Sequence, residues 1–281
     1  MAETVVEDRP RPPGPDGYDT LHVRKDGAID WLTLNRPHSL NALNRTMLLE
    51  LQHYFGELAT DYGVRVVVLA GAGRGFCAGL DLKEASGGEL GGGAVSGLRL
   101  QRRVSEIIVR MRRAPQPIVA LVNGAASGGG FALALASDIR IASPSARLNS
   151  AAIRIGLSGC DIGISYFLPR LVGSALASEL LLTGRFIDAP RALAVGLVSR
   201  VVADGELVAA GKEVAEEILR NAPLGVRLTK ECLNASVDAG SLEAVIALED
   251  RQQILAAQTG DLREGIAAFL EKRTARYTDA G

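Results

Sequence analysis

Histidine, cysteine and tryptophan are scarce in this chain: three, three and one among 281 residues. The histidines, His22, His38 and His53, form no cluster with acids or cysteines at metal-ligand spacing, so no metal is expected. Cys77, Cys160 and Cys232 are odd in number, far apart and free of any CxxC pattern, which suits a reducing compartment. An excess of charge of either sign is also missing. A net charge of -1 leaves no basic footprint for nucleic acid and no polybasic patch for a membrane surface. Nowhere do about 18 or more apolar residues run together, so no span is expected. The opening MAETVVEDRPRPPGPDG is acidic and proline-rich and lacks an apolar stretch, unlike a signal peptide. Residues 1–18 are expected to form a mobile tail, and the cytoplasm is the expected compartment.

What is there is a soluble-protein composition, 47% hydrophobic and 22% charged. LHVRK (21–25) and AIDWLTL (28–34) alternate apolar and polar around a Lys-Asp-Gly turn, as in a hairpin. Asn44 is placed to cap a helix running to about residue 60. VRVVVLAG (64–71) and PIVALVNG (117–124) read as buried strands, with a helix over about 98–113 between them. The glycine-dense SGGELGGGAVSG (86–97) reads as a loop able to close over a ligand. DIRIAS and ARLNS are short strands, and LVSRVV (197–202) is the last. Strands alternating with helices predict an α/β core over 19–204, followed by a helical region over 205–281.

Three stretches carry candidate chemistry. GAGRG (71–75) lacks both GxGxxG spacing and a following Lys-Ser/Thr, so it reads as a turn and not as a phosphate loop. Ser127 in NGAASGGG sits where a nucleophilic serine could be presented, but the three histidines all lie upstream and offer it no base. The glycines there have a better use. Unobstructed N–H groups at a helix N-terminus, joined by one from the FCAGLD loop, could hold an anionic oxygen. Asp81 and Asp138 read as local turn or cap carboxylates.

Taken in order, LNRPHSLNAL, VRVVVLAGAGRGFCAGLDLKE, IVALVNGAASGGGFALALASDIRIAS, GLVSRVV, APLGVRLTKECL and EGIAAFLEKR resemble the crotonase, or enoyl-CoA hydratase/isomerase, superfamily. The resemblance implies a spiral of ββα units with a C-terminal helical trimerisation region, assembling as a homotrimer or hexamer. It implies an acyl-CoA thioester as substrate, with coenzyme A part of that substrate and no separate cofactor. The thioester oxygen would lie between the backbone N–H groups of Leu80 and Gly129. Lys83 and Ala78 would meet the coenzyme, and Lys272 would reach the nucleotide of a neighbouring subunit.

Two departures bear on the reaction. Hydratases of the family use two glutamates to activate water; the matching positions here are Ala132 and Ala152, and neither methyl group can move a proton. One acid remains, in GLSGCDIGISYFLPR (156–170). Asp161 matches the register of family isomerases, in which a single acid precedes S-x-x-L-P-R. Ala132, Ala152, Ser158, Cys160 and Tyr166 would line the substrate pocket around it. The expected reaction is a double-bond shift in an enoyl-CoA, with Asp161 carrying the proton. A hydratase in which Asp161 and Ser158 orient water is the first alternative, and a non-catalytic acyl-CoA binder the second. Against all three stands a structural role for Asp161, as N-cap of a helix over 162–171 whose carboxylate accepts the Gly163 or Ile164 N–H.

Overall fold

The computed structural model describes residues 9–14, 17–86 and 93–279. The heart of the glycine-dense loop expected at 86–97 lies outside them. Numbered in chain order, the strands are β1 (Leu21–Asp26), β2 (Ile29–Leu34), β3 (Val66–Gly71), β4 (Gly75–Cys77), β5 (Ile118–Val122), β6 (Ala125–Ser127), β7 (Ile139–Ala142), β8 (Arg147–Asn149), β9 (Ile187–Asp188) and β10 (Arg200–Val201). The helices are α1 (Arg45–Glu57), α2 (Leu82–Ser86), α3 (Ala94–Arg113), α4 (Gly129–Ala136), α5 (Ile164–Val172), α6 (Ser174–Thr183), α7 (Ala189–Ala194), α8 (Leu207–Leu219), α9 (Pro223–Ser236), α10 (Leu242–Ala257) and α11 (Gly260–Glu271).

β1 and β2 form the expected hairpin, in register from Leu21–Leu34 to Asp26–Ile29. β3, β5, β7 and β10 then add in parallel, giving the order β1-β2-β3-β5-β7-β10. Parallel strands covered on both faces need apolar side chains on both, which is why β3 reads VVVL without alternation. Val67 and Leu69 pack with Leu48, Leu51 and Phe55 of α1 and with Ile107 and Met111 of α3. Val66 and Val68 face the other way, toward Leu207, Ala210 and Val214 of α8. At the start of α1 the Asn44 side chain accepts the Met47 N–H at 3.0 Å, as the capping pattern predicts.

A second sheet has the order β4-β6-β8-β9, and of its strands only β8, within ARLNS, was read from the sequence. After β3 comes β4, after β5 comes β6, and after β7 comes β8, so each long strand hands the chain to a short one in the other sheet. A helix then leads back: α2 and α3 after β4, and α4 after β6. This repeated step is the ββα spiral. Its short sheet holds the loops where chemistry is expected.

Some expectations need correction. The described part of the tail is not free: the Arg11 N–H donates to Leu49 O at 3.0 Å, and the Tyr18 hydroxyl lies 2.8 Å from His53 Nδ1. LVSRVV pairs only through Arg200 and Val201. Asp138 does more than close a turn. It accepts the Ile118 N–H at 2.8 Å and meets Lys230 at 2.8 Å and Arg112 at 3.2 Å, tying α9 to the core. Lys230, only 5% exposed, also donates to Gln116 O at 2.7 Å. From residue 204 onward the described chain forms only helices, and none of the described helices is long and apolar enough to cross a membrane.

Candidate active site

The FCAGL loop after β4 and the GGG turn after β6 meet because Gly79 allows it. Its φ is +90°, and a Cβ there would sit 2.7 Å from Ser127 O and 3.3 Å from the Gly129 nitrogen. No side chain fits that gap. The Leu43 N–H donates to Gly79 O at 2.7 Å, and the Asp81 N–H donates to Leu43 O at 3.0 Å. These bonds pin the residues flanking Leu80. Among the described residues the Leu80 N–H itself has no backbone acceptor. Gly129 is the first residue of α4, so its N–H also lacks an intrahelical partner, at the positive end of the helix dipole. The two loops thus meet where the glycines suggested, with the Leu80 and Gly129 N–H groups of the family resemblance on either side of the approach.

Arg36 steadies the first donor. Its Nη1 donates to Asp81 Oδ2 at 2.9 Å and to Ala42 O at 2.5 Å, with both ion-pair side chains mostly buried. Burial opposes the Asp81 charge, but hydrogen bonds from Arg36 and the Glu84 and Lys83 N–H groups outweigh it and hold the carboxyl below its ordinary value. Asp81 is thus a local cap, as read from the sequence, and an ion-pair partner besides.

Asp161 is not a helix cap. Helix α5 starts at Ile164, its N-cap is Gly163 at φ +91°, and no side chain caps it. The Asp161 backbone carbonyl accepts the Ile164 N–H at 2.8 Å, closing a turn through Ile162, whose φ is +34°. A positive φ is strained for a β-branched residue. That turn shifts the helix start by two residues and releases the carboxylate. The half-buried Asp161 side chain instead accepts a hydrogen bond from Gln101 Nε2, on α3. Next to it, Ile162 is 8% exposed, and its Cδ1 lies 3.8 Å from where a Gly129 Cβ would stand. The acid is therefore one residue from a side chain that packs against the second donor.

The other expected site residues divide. Ala78 flanks the donor loop, its N–H bonded to Leu40 O at 3.0 Å. Ala132 is fully buried on α4, and Ala152 is half-buried in the 3-10 turn Ala151–Ile155. Ser158 and Cys160 are exposed, and the Ser158 hydroxyl accepts the Cys160 N–H at 3.0 Å and so serves its own loop. The Tyr166 hydroxyl donates to Asp238 Oδ2 at 2.7 Å, beneath the Arg170 guanidinium 3.9 Å from the ring centre. Burial and that carboxylate push the phenol up from its ordinary value. Lys83 is exposed on α2. Lys272 is exposed too, at the left-handed end of α11, which packs on α10.

Two cavities flank this centre. One of about 230 Å³ is walled by Leu43, Leu48, Leu80, Asp81 and Leu100. The other, of about 810 Å³, opens between α3, α5 and α9, with Ser105, Val109, Ile162, Gly163, Tyr166 and Asn234 among its walls. Ile162 and Ser105 place its near end beside Asp161 and one helical turn beyond Gln101. Gln101 itself was missed: in LRLQRRVSE it looks like part of a solvated face, and nothing local marks it.

Paired donors at a helix N-terminus and one carboxylate nearby equip a protein to hold a carbonyl oxygen and move a proton. The family model for enoyl-CoA hydratase/isomerase matches residues 24–280, and the chain belongs to that family. It is 40% identical over 262 residues to a protein of Mycobacterium tuberculosis named "Probable enoyl-CoA hydratase EchA12", covering 89% of this chain and 90% of that one. It is 36% identical over 257 residues to the 1,2-epoxyphenylacetyl-CoA isomerase of Escherichia coli, covering 92% and 97%. The crystal structure of an enoyl-CoA hydratase from Bacillus anthracis superposes with a TM-score of 0.87 at 35% identity, covering 93% of this chain and all of that one (100%). The relatives thus carry both hydratase and isomerase names.

Proposed function

We propose that this protein shifts a double bond in an enoyl-CoA, with Asp161 as the proton carrier and the Leu80 and Gly129 N–H groups holding the thioester oxygen. The observation that carries this reading is the Asp161 carboxylate. It caps no helix, it is held from the side by Gln101, and its neighbour Ile162 packs toward Gly129. In the family resemblance, Ala132 and Ala152 take the positions at which hydratases carry glutamates, and this supports a reaction that needs no activated water. In a 3-enoyl-CoA the carboxylate removes a proton from C2, and the C–H electron pair spreads into a dienolate whose charge rests on the thioester oxygen. The same proton returns to C4, the C3–C4 π pair forms the new C–H bond, and C2–C3 becomes the double bond. No water is consumed.

In this reading Ala78 and Lys83 border the coenzyme, and Lys272 serves a neighbouring subunit of a homotrimer or hexamer. Apolar side chains support such assembly: Leu242, Ile254, Phe269 and Leu270 of α10 and α11 are at least 63% exposed, with Phe269 at 83%. The test is conversion of a 3-enoyl-CoA to its 2-enoyl isomer, followed by the conjugated thioester absorbance. Asp161→Asn should lose at least about a hundredfold in rate. Full activity in that variant would sink the assignment. The hydratase name of the Mycobacterium tuberculosis relative favours a second reading, in which 2-enoyl-CoA is consumed with loss of that absorbance. Acyl-CoA affinity without turnover of either substrate would identify a binder.

A further inference from the structure

We infer that Gln101 is a positioning residue that selects which oxygen of Asp161 carries the proton; this rests on the isomerase reading above. A carboxyl group turns about χ2 in a broad, roughly two-fold well, so an unheld Asp161 would present its two oxygens interchangeably. The Gln101 amide donates to Oδ1 and leaves Oδ2 for the substrate.

The donor is well anchored although its side chain is exposed. Leu100, Val104, Ile107, Ile108 and Met111 bury one stripe of α3. Gln52 Nε2 donates to Arg103 O at 2.7 Å, and Arg110 Nη1 donates to Gln52 O at 2.7 Å, locking α3 to α1. The Ser105 hydroxyl donates to the Gln101 carbonyl at 2.9 Å. Position 101 therefore has a fixed backbone, and its side chain can set the acid's orientation.

An amide suits this duty better than the guanidinium groups common on the same helix, at Arg99, Arg102 and Arg103. A proton carrier must be comfortable both as carboxylate and as neutral acid. A cation would favour the charged form alone. An amide N–H bonds to Oδ1 in both states, because that oxygen stays an acceptor when Oδ2 is protonated. In the first step Oδ2 takes the C2 proton while the C–H pair enters the dienolate. In the second Oδ2 gives that proton back to C4. Gln101 exchanges no proton in either step, so every atom and electron is accounted for by Asp161 and substrate.

The experiment is a double-mutant cycle on the full-length protein with 3-hexenoyl-CoA as probe. Gln101→Leu should lower kcat about ten- to a hundredfold with KM changed by no more than about twofold, the size expected of a misaimed reacting group. In an Asp161→Asn background, Gln101→Leu should change the residual rate by less than about twofold, because the group it positions is gone. Gln101→Lys, which restores a donor but adds charge, should not recover the kcat. Three results would overturn the inference: wild-type kcat in Gln101→Leu, a loss confined to KM, or an equal loss in both backgrounds. Failure of the isomerase reading looks different. In that case the wild-type protein would not convert 3-hexenoyl-CoA, or Asp161→Asn alone would keep full activity.

Discussion

Replacing Arg36 by leucine removes a charge partner from a nearly closed site, and the structure sets the size of the effect. Arg36 and Asp81 are 14% and 13% exposed as side chains, and Nη1 also serves Ala42 O. Breaking a fully buried pair by deleting one partner costs about 3–5 kcal/mol. The residual exposure of both groups lowers this to about 2–3 kcal/mol, or roughly 3–5 °C in Tm for a chain of this size. The effect carries a pH signature. Asp81 titrates below its ordinary value in the folded protein, so its contribution is present above about pH 3.9 and is lost as pH falls through the lower folded value. The gap between wild type and Arg36→Leu should be widest near neutrality and should close in acid. Urea unfolding at a series of pH values measures it. Equal stability at pH 7, or a gap that stays constant down the acid limb, would refute the reasoning.

Two further substitutions probe the frame. Gly130→Ala would place a Cβ 2.1 Å from the Cys77 carbonyl oxygen, against backbone that cannot turn aside; a loss of about 3 kcal/mol or more is expected, and near-native thermal unfolding would contradict the close approach of the two loops. Lys230→Ala should cost about 3 kcal/mol by stripping Asp138 and Gln116 O of a buried donor, with Lys230→Met milder because it keeps the volume. A double-mutant cycle with Asp138→Asn should give a coupling above about 1 kcal/mol, and simple additivity would argue against the pairing.

The long elements could be read in advance because each carries a redundant signal. Asn44 before an apolar-periodic run marks a cap, and VVVL without alternation marks a strand covered on both faces. That the two glycine-rich loops meet was also legible, since only glycine allows two backbones to approach so closely, whereas the choice of Leu80 and Gly129 came from the family resemblance. The second sheet was not. Only RLN, within ARLNS, read as a strand; GFC and AAS are three residues each, too short for a period of two to show, and they exist because the long strands beside them deliver the chain there. The cap reading weighed against a catalytic Asp161 fails for a related reason. Asp is a favoured cap, and no local pattern announces that Ile162 takes a positive φ. Gln101 lies sixty positions from its partner (|i−j| = 60), and a contact of that range leaves no trace in either local sequence.

The turn at Ile162 holds strain that the packing of the same side chain offsets. Holding a β-branched residue at φ +34° costs on the order of 1–3 kcal/mol. Glycine would remove that strain at once. It would also delete the side chain that packs toward Gly129, and it would free the hinge from which Asp161 projects. Because that side chain is only 8% exposed, losing it costs about 2–5 kcal/mol, more than the strain it relieves, so stability and proton transfer both call for isoleucine at 162.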